Sequence, residues 1–323
     1  MKKFLCSERR IFTVLLDIAE KYFNETALPL LQRDFPEELS TLAAGLAGRG
    51  SECFGFDDDV SRDHDYTVGF GLYLTCADER KYGFKLERFY SRLRKEFPPP
   101  GAASAGSRYG GLEHGVIIIE DYFERHLGYP GAPQDFRQWL YTPEYAFAEA
   151  VNGRVFCDCN GIWSKLRRTI LEDMPEDIRI KKLAARAVAM AQSGQYNFMR
   201  CHRHGEEGAA MLALQEFVKN SISMIFLLNK RFAPYYKWAF RAMRDLPLMA
   251  EEESKLQKLL TAAVPVQERF QLIEEISLAC IAQLRKQELT DIENDYLEPH
   301  AFELMNHIKS REIAALHVME GSL

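Results

Sequence analysis

The chain has 323 residues, with 41 Lys and Arg against 47 Asp and Glu, so its formal charge is −6. At 47% hydrophobic and 27% charged residues it can bury cores beneath a charged surface, which excludes wholesale disorder. The acidic balance argues against general nucleic-acid binding, and the length predicts two domains.

No uninterrupted apolar run reaches the length of a membrane span, and Met1–Cys6 is followed at once by Ser7-Glu8-Arg9-Arg10, so neither a span nor a secretory signal is expected. Seven scattered cysteines, without paired CxxC units, predict thiols kept reduced in a cytoplasm. Cys157-Asp158-Cys159 has no second pair or nearby histidine to complete a zinc site and reads as small thiols.

In chain order, Ile11, Val14, Leu15, Ile18, Ala19 and Tyr22 recur at helical spacing and predict an amphipathic helix from Glu8 to about Tyr22. Thr41–Ala47 is an apolar run ending at Gly48-Arg49-Gly50-Ser51, a buried strand delivered into a glycine-rich turn. Asp65–Leu74, with Tyr66-Thr67-Val68 and Leu72-Tyr73-Leu74, reads as a second strand. Asp78–Phe97 reads as a charged helix with Phe84, Phe89 and Leu93 as core contacts, ending at Pro98. The small residues from Pro98 to Gly111 read as a mobile loop. Gly115–Glu120 is the clearest strand, its β-branched run predicting burial on both faces.

From about Pro143 the texture changes to long helical patterns: Pro175 to Gly194, Glu206 to just before Pro234, Leu248–Leu260, Pro265–Lys286 and Pro299–Met319. The expectation is an α+β protein, with a mixed-sheet domain over residues 1–142 and an all-helical domain over 143–323.

The chemistry-bearing stretch runs from Gly50 to Asp65. A Gly-Ser turn at a strand end leaves main-chain N–H groups and a hydroxyl free to approach a phosphate, because glycine has no Cβ. Asp63-His64-Asp65 follows at the start of the next strand, where a period of two puts both carboxylates on one face. Two carboxylates held that close repel unless a divalent cation lies between them, so Asp63 and Asp65 read as a Mg²⁺ site beside a phosphate cradle. Asp57-Asp58-Asp59 fits a solvated turn equally well, and the run lacks the central glycine and terminal glutamate of an EF-hand.

Gly48-Arg49-Gly50-Ser51-Glu52, Phe56-Asp57-Asp58 and Ser61-Arg62-Asp63-His64-Asp65 resemble a bacterial family known as domain of unknown function 4037, within the nucleotidyltransferase superfamily of polymerase β-like and aminoglycoside nucleotidyltransferases. The likeness runs on over most of the chain through Gly153-Arg154-Val155-Phe156, Tyr196-Asn197 and Ala233-Pro234-Tyr235-Tyr236-Lys237-Trp238. It implies a nucleotidyltransferase-fold domain followed by a helical one, with the substrates held between them. It implies that Asp63 and Asp65 bind Mg²⁺, that Gly50 and Ser51 contact the triphosphate of an NTP such as ATP, and that a nucleoside monophosphate passes to an unidentified acceptor. Such enzymes carry a third carboxylate on a later strand. The corresponding strand here is apolar at its centre, and Glu120 at its end, on the face of Val116 and Ile118, is the candidate. Without a third acid the domain would bind nucleotide as a sensor or interaction module.

In the helical half, Gln192, Gln195, Tyr196, Asn197 and Arg200 cluster where an apolar helix stops, and either cap it or contact nucleotide or acceptor. Tyr235 and Trp238 suit core packing as well as stacking, whereas Tyr236 and Lys237 suit a base and a phosphate. The nucleotide-contact set is Gly50, Ser51, Gln192, Arg200, Tyr236 and Lys237.

Overall fold

The structure is a computed structural model and describes residues 15–58, 68–99, 114–261 and 263–321. It divides into two compact units, Met1–Gly131 with Glu149–Arg167, and Ala132–Ala148 with Arg168–Leu323.

Along the first part of the chain, α1 (Leu15–Tyr22), a π-helical turn (Phe23–Ala27), α2 (Leu28–Asp34) and α3 (Pro36–Leu39) lead to β1 (Ala43–Leu46). A 3₁₀ turn (Glu52–Phe54), β2 (Gly71–Leu74), α4 (Cys76–Glu96), β3 (Gly115–Ile118) and α5 (Ile119–Leu127) follow. After α6 (Phe136–Tyr141) and α7 (Glu144–Val151) come β4 (Arg154–Asp158) and α8 (Ile162–Glu172). The remaining elements are helical: α9 (Glu176–Met190), a π-helical segment (Ala191–Phe198), α10 (Met199–Arg203), α11 (Glu207–Leu228), α12 (Tyr236–Met243), α13 (Glu252–Thr261), α14 (Val266–Lys286), α15 (Leu297–Asn306) and α16 (Arg311–Ala314).

Among the described residues the first unit is built on a four-stranded mixed sheet in the order β3-β2-β1-β4. β1 pairs antiparallel with β2 and β4, and β2 pairs parallel with β3. Strand alternation sorts the side chains: Leu42, Ala44, Leu72 and Leu74 join Phe23, Leu31, Phe70 and Phe89 in one core cluster. Tyr73 points the other way, stacked on Trp163 with ring centroids 3.8 Å apart. Gly45 makes room for that indole, since a Cβ there would lie 2.8 Å from the Trp163 ring.

Several expectations need correction. β4 lies in the stretch read as all-helical and pairs with β1 more than 100 residues upstream. Its only apolar run, Val155-Phe156-Cys157, is closed in by Arg154 and Asp158 and is too short to announce a strand, and all five residues are half-buried. Among the described residues β3 is an edge strand, and Val116 and Ile118 are only half-buried. Helix α5 starts at Ile119, so Glu120 lies in a helix first turn, where a carboxylate suits the positive end, and not at a strand end. On α4, Phe89 and Leu93 are buried, but Phe84 is 74% exposed beneath the Arg88 guanidinium, with Leu86 and Tyr90 filling the apolar stripe instead.

The second unit is organised by α9 and α11. Gly194 is not a helix stop: a Cβ there would meet the Phe217 ring at 2.2 Å, so glycine lets α11 approach, and the chain continues as a π-helical segment into α10. The helix read over Pro299–Met319 is two, α15 and α16, the second capped by Ser310, whose hydroxyl accepts from the Ile313 N–H. Among the described residues α11 alone has the length and apolarity of a membrane span, and 67% of that stretch is buried within the protein.

Candidate functional site

The turn after β1 is held from below by a distant segment. The Asn152 side chain accepts from the Gly48 N–H at 2.8 Å and donates back to the Gly48 carbonyl at 2.6 Å. Gly153, at φ +70°, passes so close that a Cβ would lie 1.9 Å from the Leu46 carbonyl oxygen. Arg49 then reaches sideways, donating to the Arg125 carbonyl at 3.2 Å and pairing with the buried Glu149 carboxylate at 3.5 Å. Asn152 and Glu149 escaped the sequence reading, because nothing in their local pattern ties them to Gly48. Their one signal is the Asn-Gly pair, a turn former in its own right.

Gly50 and Ser51 open the 3₁₀ turn, with the Cys53 N–H donating to the Gly50 carbonyl and the Phe54 and Phe56 N–H groups donating to Ser51. The Glu52 carboxylate folds back over Gly50, where a Cβ would lie 1.9 Å from its oxygen. An acid thus covers the glycine read as a phosphate contact. Asp57 accepts from the Leu15 N–H at 2.8 Å, so that acid of the Asp-rich loop anchors α1. Asp63 and Asp65 lie outside the described residues, as does the loop expected up to Gly111. Because Gly45 pairs with Gly71, the chain enters β2 at the sheet end by which it leaves β1.

Glu120 accepts from the Cys76 N–H at 3.0 Å. Cys76 is the first residue of α4, so this carboxylate satisfies an otherwise unpartnered helix-terminal donor. An open depression of about 630 Å³ is lined by β3, His114, Asp121, Glu124 and Arg125. Burial, and after it the Arg94 charge, pushes His114 down to about 4, so it is neutral at pH 7.

Within the second unit, the polar patch divides. Gln192 donates to Glu298 at 2.9 Å. Gln195 donates to Glu274 and to the Asp295 carbonyl, and accepts from the Leu297 N–H at 2.9 Å, at the start of α15. Both glutamines therefore fasten α15 to the π-helical segment. Arg200 is exposed and donates to the Tyr196 hydroxyl at 2.7 Å. Tyr236 and Lys237 are exposed on the first turn of α12, the Lys237 ammonium 4.8 Å over the Trp238 ring.

Below these surfaces lies a charged core that the sequence reading also missed. Arg186 donates to Glu144 at 3.1 Å and to Asn220 at 3.1 Å, and the Ser223 hydroxyl donates to the same Glu144 carboxylate at 2.7 Å. Lys182 is fully buried, with no hydrogen-bond partner for its ammonium among the described residues, and desolvation pushes it down to about 8 against the pull of Glu144. Cys157 is pushed up to about 12 by burial and then by Cys159, so it is a protonated thiol. Among the described residues no three His, Cys, Asp or Glu side chains converge as a metal site.

The model of the family described as "Domain of unknown function (DUF4037)" matches residues 139–239. That span takes in Gly153–Phe156, Tyr196-Asn197 and Ala233–Trp238, as well as Glu144, Lys182, Arg186 and Ser223, and leaves out the Gly48–Asp65 stretch. No curated protein matches the chain. Among solved structures, a nucleotidyltransferase-like protein from Exiguobacterium sibiricum 255-15 is similar at 13% identity and a TM-score of 0.35, over 88% of this chain and 81% of that one.

Proposed function

We propose, for a chain whose residues 139–239 match the DUF4037 family model, that it transfers a nucleoside monophosphate from an NTP, with ATP the leading donor, to an acceptor hydroxyl or phosphate. The acceptor oxygen would attack the α-phosphorus in line, the bond to the bridging oxygen would break, pyrophosphate would leave with that bonding pair, and a hydroxyl acceptor would give up its proton to water. In this reading Asp63 and Asp65 hold Mg²⁺, and Gly50 and Ser51 receive the triphosphate. The cation would supply neutralisation of the charge that grows on the phosphoryl oxygens. The chain's own contribution is positioning, and the Glu52 carboxylate has to swing off Gly50 before phosphate can approach.

The observation that carries the reading is the strand geometry. The chain leaves β1 through Gly48–Ser51 and enters β2 at the same sheet end, and the stretch leading into β2 contains Asp63 and Asp65. The protein incubated with labelled ATP and Mg²⁺ should release pyrophosphate or label itself, and an Asp63→Asn/Asp65→Asn double variant should do neither. Equal turnover by both proteins ends the proposal.

A second reading, nucleotide binding without transfer, is favoured by Glu120, whose carboxylate serves the first N–H of α4 rather than a strand face. Glu120→Gln separates the two. Loss of transfer at unchanged thermal stability would restore Glu120 as the third acid, whereas ATP binding with no product in the wild-type protein supports the sensor.

A further inference from the structure

Three tyrosines from two separate stretches meet at one exposed place on the second unit. Tyr145, in the first turn of α7, meets Tyr235 edge-on with ring centroids 5.8 Å apart, and Tyr235 meets Tyr236 at 4.2 Å. Such rings are normally drawn into the core, and one layer down Phe147 and Phe232 are, 4.7 Å apart. Tyr145, Tyr235 and Tyr236 instead remain 44%, 40% and 74% exposed. Tyr236 has one side against Tyr235 and most of its surface in solvent. Tyr145 backs Tyr235, so the array is braced from a second helix.

Two exposed cations flank Tyr235 and Tyr236 in the chain. Lys237 and Arg231 are exposed nearby in the chain, and α12 begins at Tyr236 with neither an acid in its first turn nor a side-chain cap. The exposed Tyr236 ring, backed by Tyr235 inclined 43° to it, lies beside cations and complements a ligand that is itself planar at one end and anionic at the other. An aliphatic protein surface would leave the cations unanswered, and the chain's overall charge of −6 disfavours a long polyanion.

We propose that Tyr145, Tyr235 and Tyr236 form a stacking platform for the base of a mononucleotide, with Lys237 taking its phosphate. The identity of the ligand rests on the nucleotide reading above. Tyr145 is the new member, brought to the platform by α7.

The test uses the full chain in EDTA, so that it does not depend on Asp63 and Asp65. ATP, AMP and tripolyphosphate are titrated by calorimetry into wild-type, Tyr236→Ala, Tyr236→Phe, Tyr145→Ala and Lys237→Ala proteins, with thermal melts confirming that each folds. Base–aromatic stacking is worth about 1–3 kcal/mol per base, which at 1.4 kcal/mol per decade is on the order of tenfold in affinity. Tyr236→Ala should weaken AMP and ATP about tenfold and leave tripolyphosphate unchanged, Tyr236→Phe should restore binding, and Tyr145→Ala should weaken AMP by a smaller factor. Lys237→Ala should weaken ATP and tripolyphosphate alike. Unchanged AMP affinity in the folded Tyr236→Ala protein overturns the platform even if the Asp63/Asp65 double variant has lost transfer. Loss of transfer with an intact AMP response in that double variant leaves both readings standing. Tighter binding of an oligonucleotide than of ATP overturns the assignment in favour of single-stranded nucleic acid.

Discussion

At the end of β1 the groups that need partners are main chain. Gly48 exchanges both its hydrogen bonds with Asn152, and Gly153 fits against Leu46 because it has no side chain. Around α9 they are charged side chains taken out of water. Lys181, Lys182, Arg186 and Glu144 are all buried, and they solve the problem unequally. Lys181 donates to the carbonyls of His317, Val318 and Glu320 at 2.7 to 3.0 Å, while its neighbour Lys182 finds no acceptor among the described residues. The first region depends on space and the second on charge, so mutations should fail in them for different reasons.

The largest effect is expected where space is tightest. Gly153→Ala adds a Cβ that overlaps the Leu46 carbonyl at a φ of +70°, and should destabilise the protein by about 3 kcal/mol in urea unfolding. Gly50→Ala meets first the end of the Glu52 side chain rather than backbone, so in the same assay it should stay within about 0.5 kcal/mol while still obstructing a phosphate. A loss of stability at Gly50 matching that at Gly153 would erase the distinction between a structural and a ligand-facing glycine.

Lys181→Met comes next. It removes an ammonium that ties the 317–320 turn to α9 and takes a donor from three carbonyls, of which that of His317 keeps the Glu320 N–H, at about 2 kcal/mol. Hydrogen exchange of the amides near Glu320 should accelerate more than that of α11. Uniform acceleration would mean that the turn is held by something else.

Lys182→Met should act in the opposite direction and by less, stabilising by about 1 kcal/mol at pH 7, because a buried charge without an acceptor is replaced by an apolar chain of similar length. The pH dependence sharpens the comparison. The Lys182 ammonium is pushed down to about 8 from its ordinary 10.5, so between those values the unfolded chain keeps a proton that the folded one has released. Stability should therefore rise with pH across that window, and the rise should be smaller in Lys182→Met. Parallel pH profiles for the two proteins would place a hidden acceptor at Lys182.

Much of the fold was legible locally. Pro175 with two acids behind it marked the start of α9, the β-prone Leu72-Tyr73-Leu74 marked β2, and Phe89 and Leu93 marked the buried side of the charged helix α4. Where reading failed, a contact distant in sequence had overruled a local preference. Gly194 looked like a stop and is a landing place for Phe217, and Glu120 looked like a strand-end acid and serves the first donor of α4. Gln192 and Gln195, which fitted either a structural tie or a ligand contact, are engaged by α15 and the turn before it.

From residue order alone came the helix periods, the strand alternation and the spacing of Gly50-Ser51 from Asp63 and Asp65, since each is a property of neighbours along the backbone. Folding alone could decide that β4 closes the sheet beside β1, that Asn152 holds Gly48, and that Tyr145 meets Tyr235 about 90 residues later. Those pairings depend on which surfaces remain exposed after the helices have packed, and the sequence near one partner does not name the other.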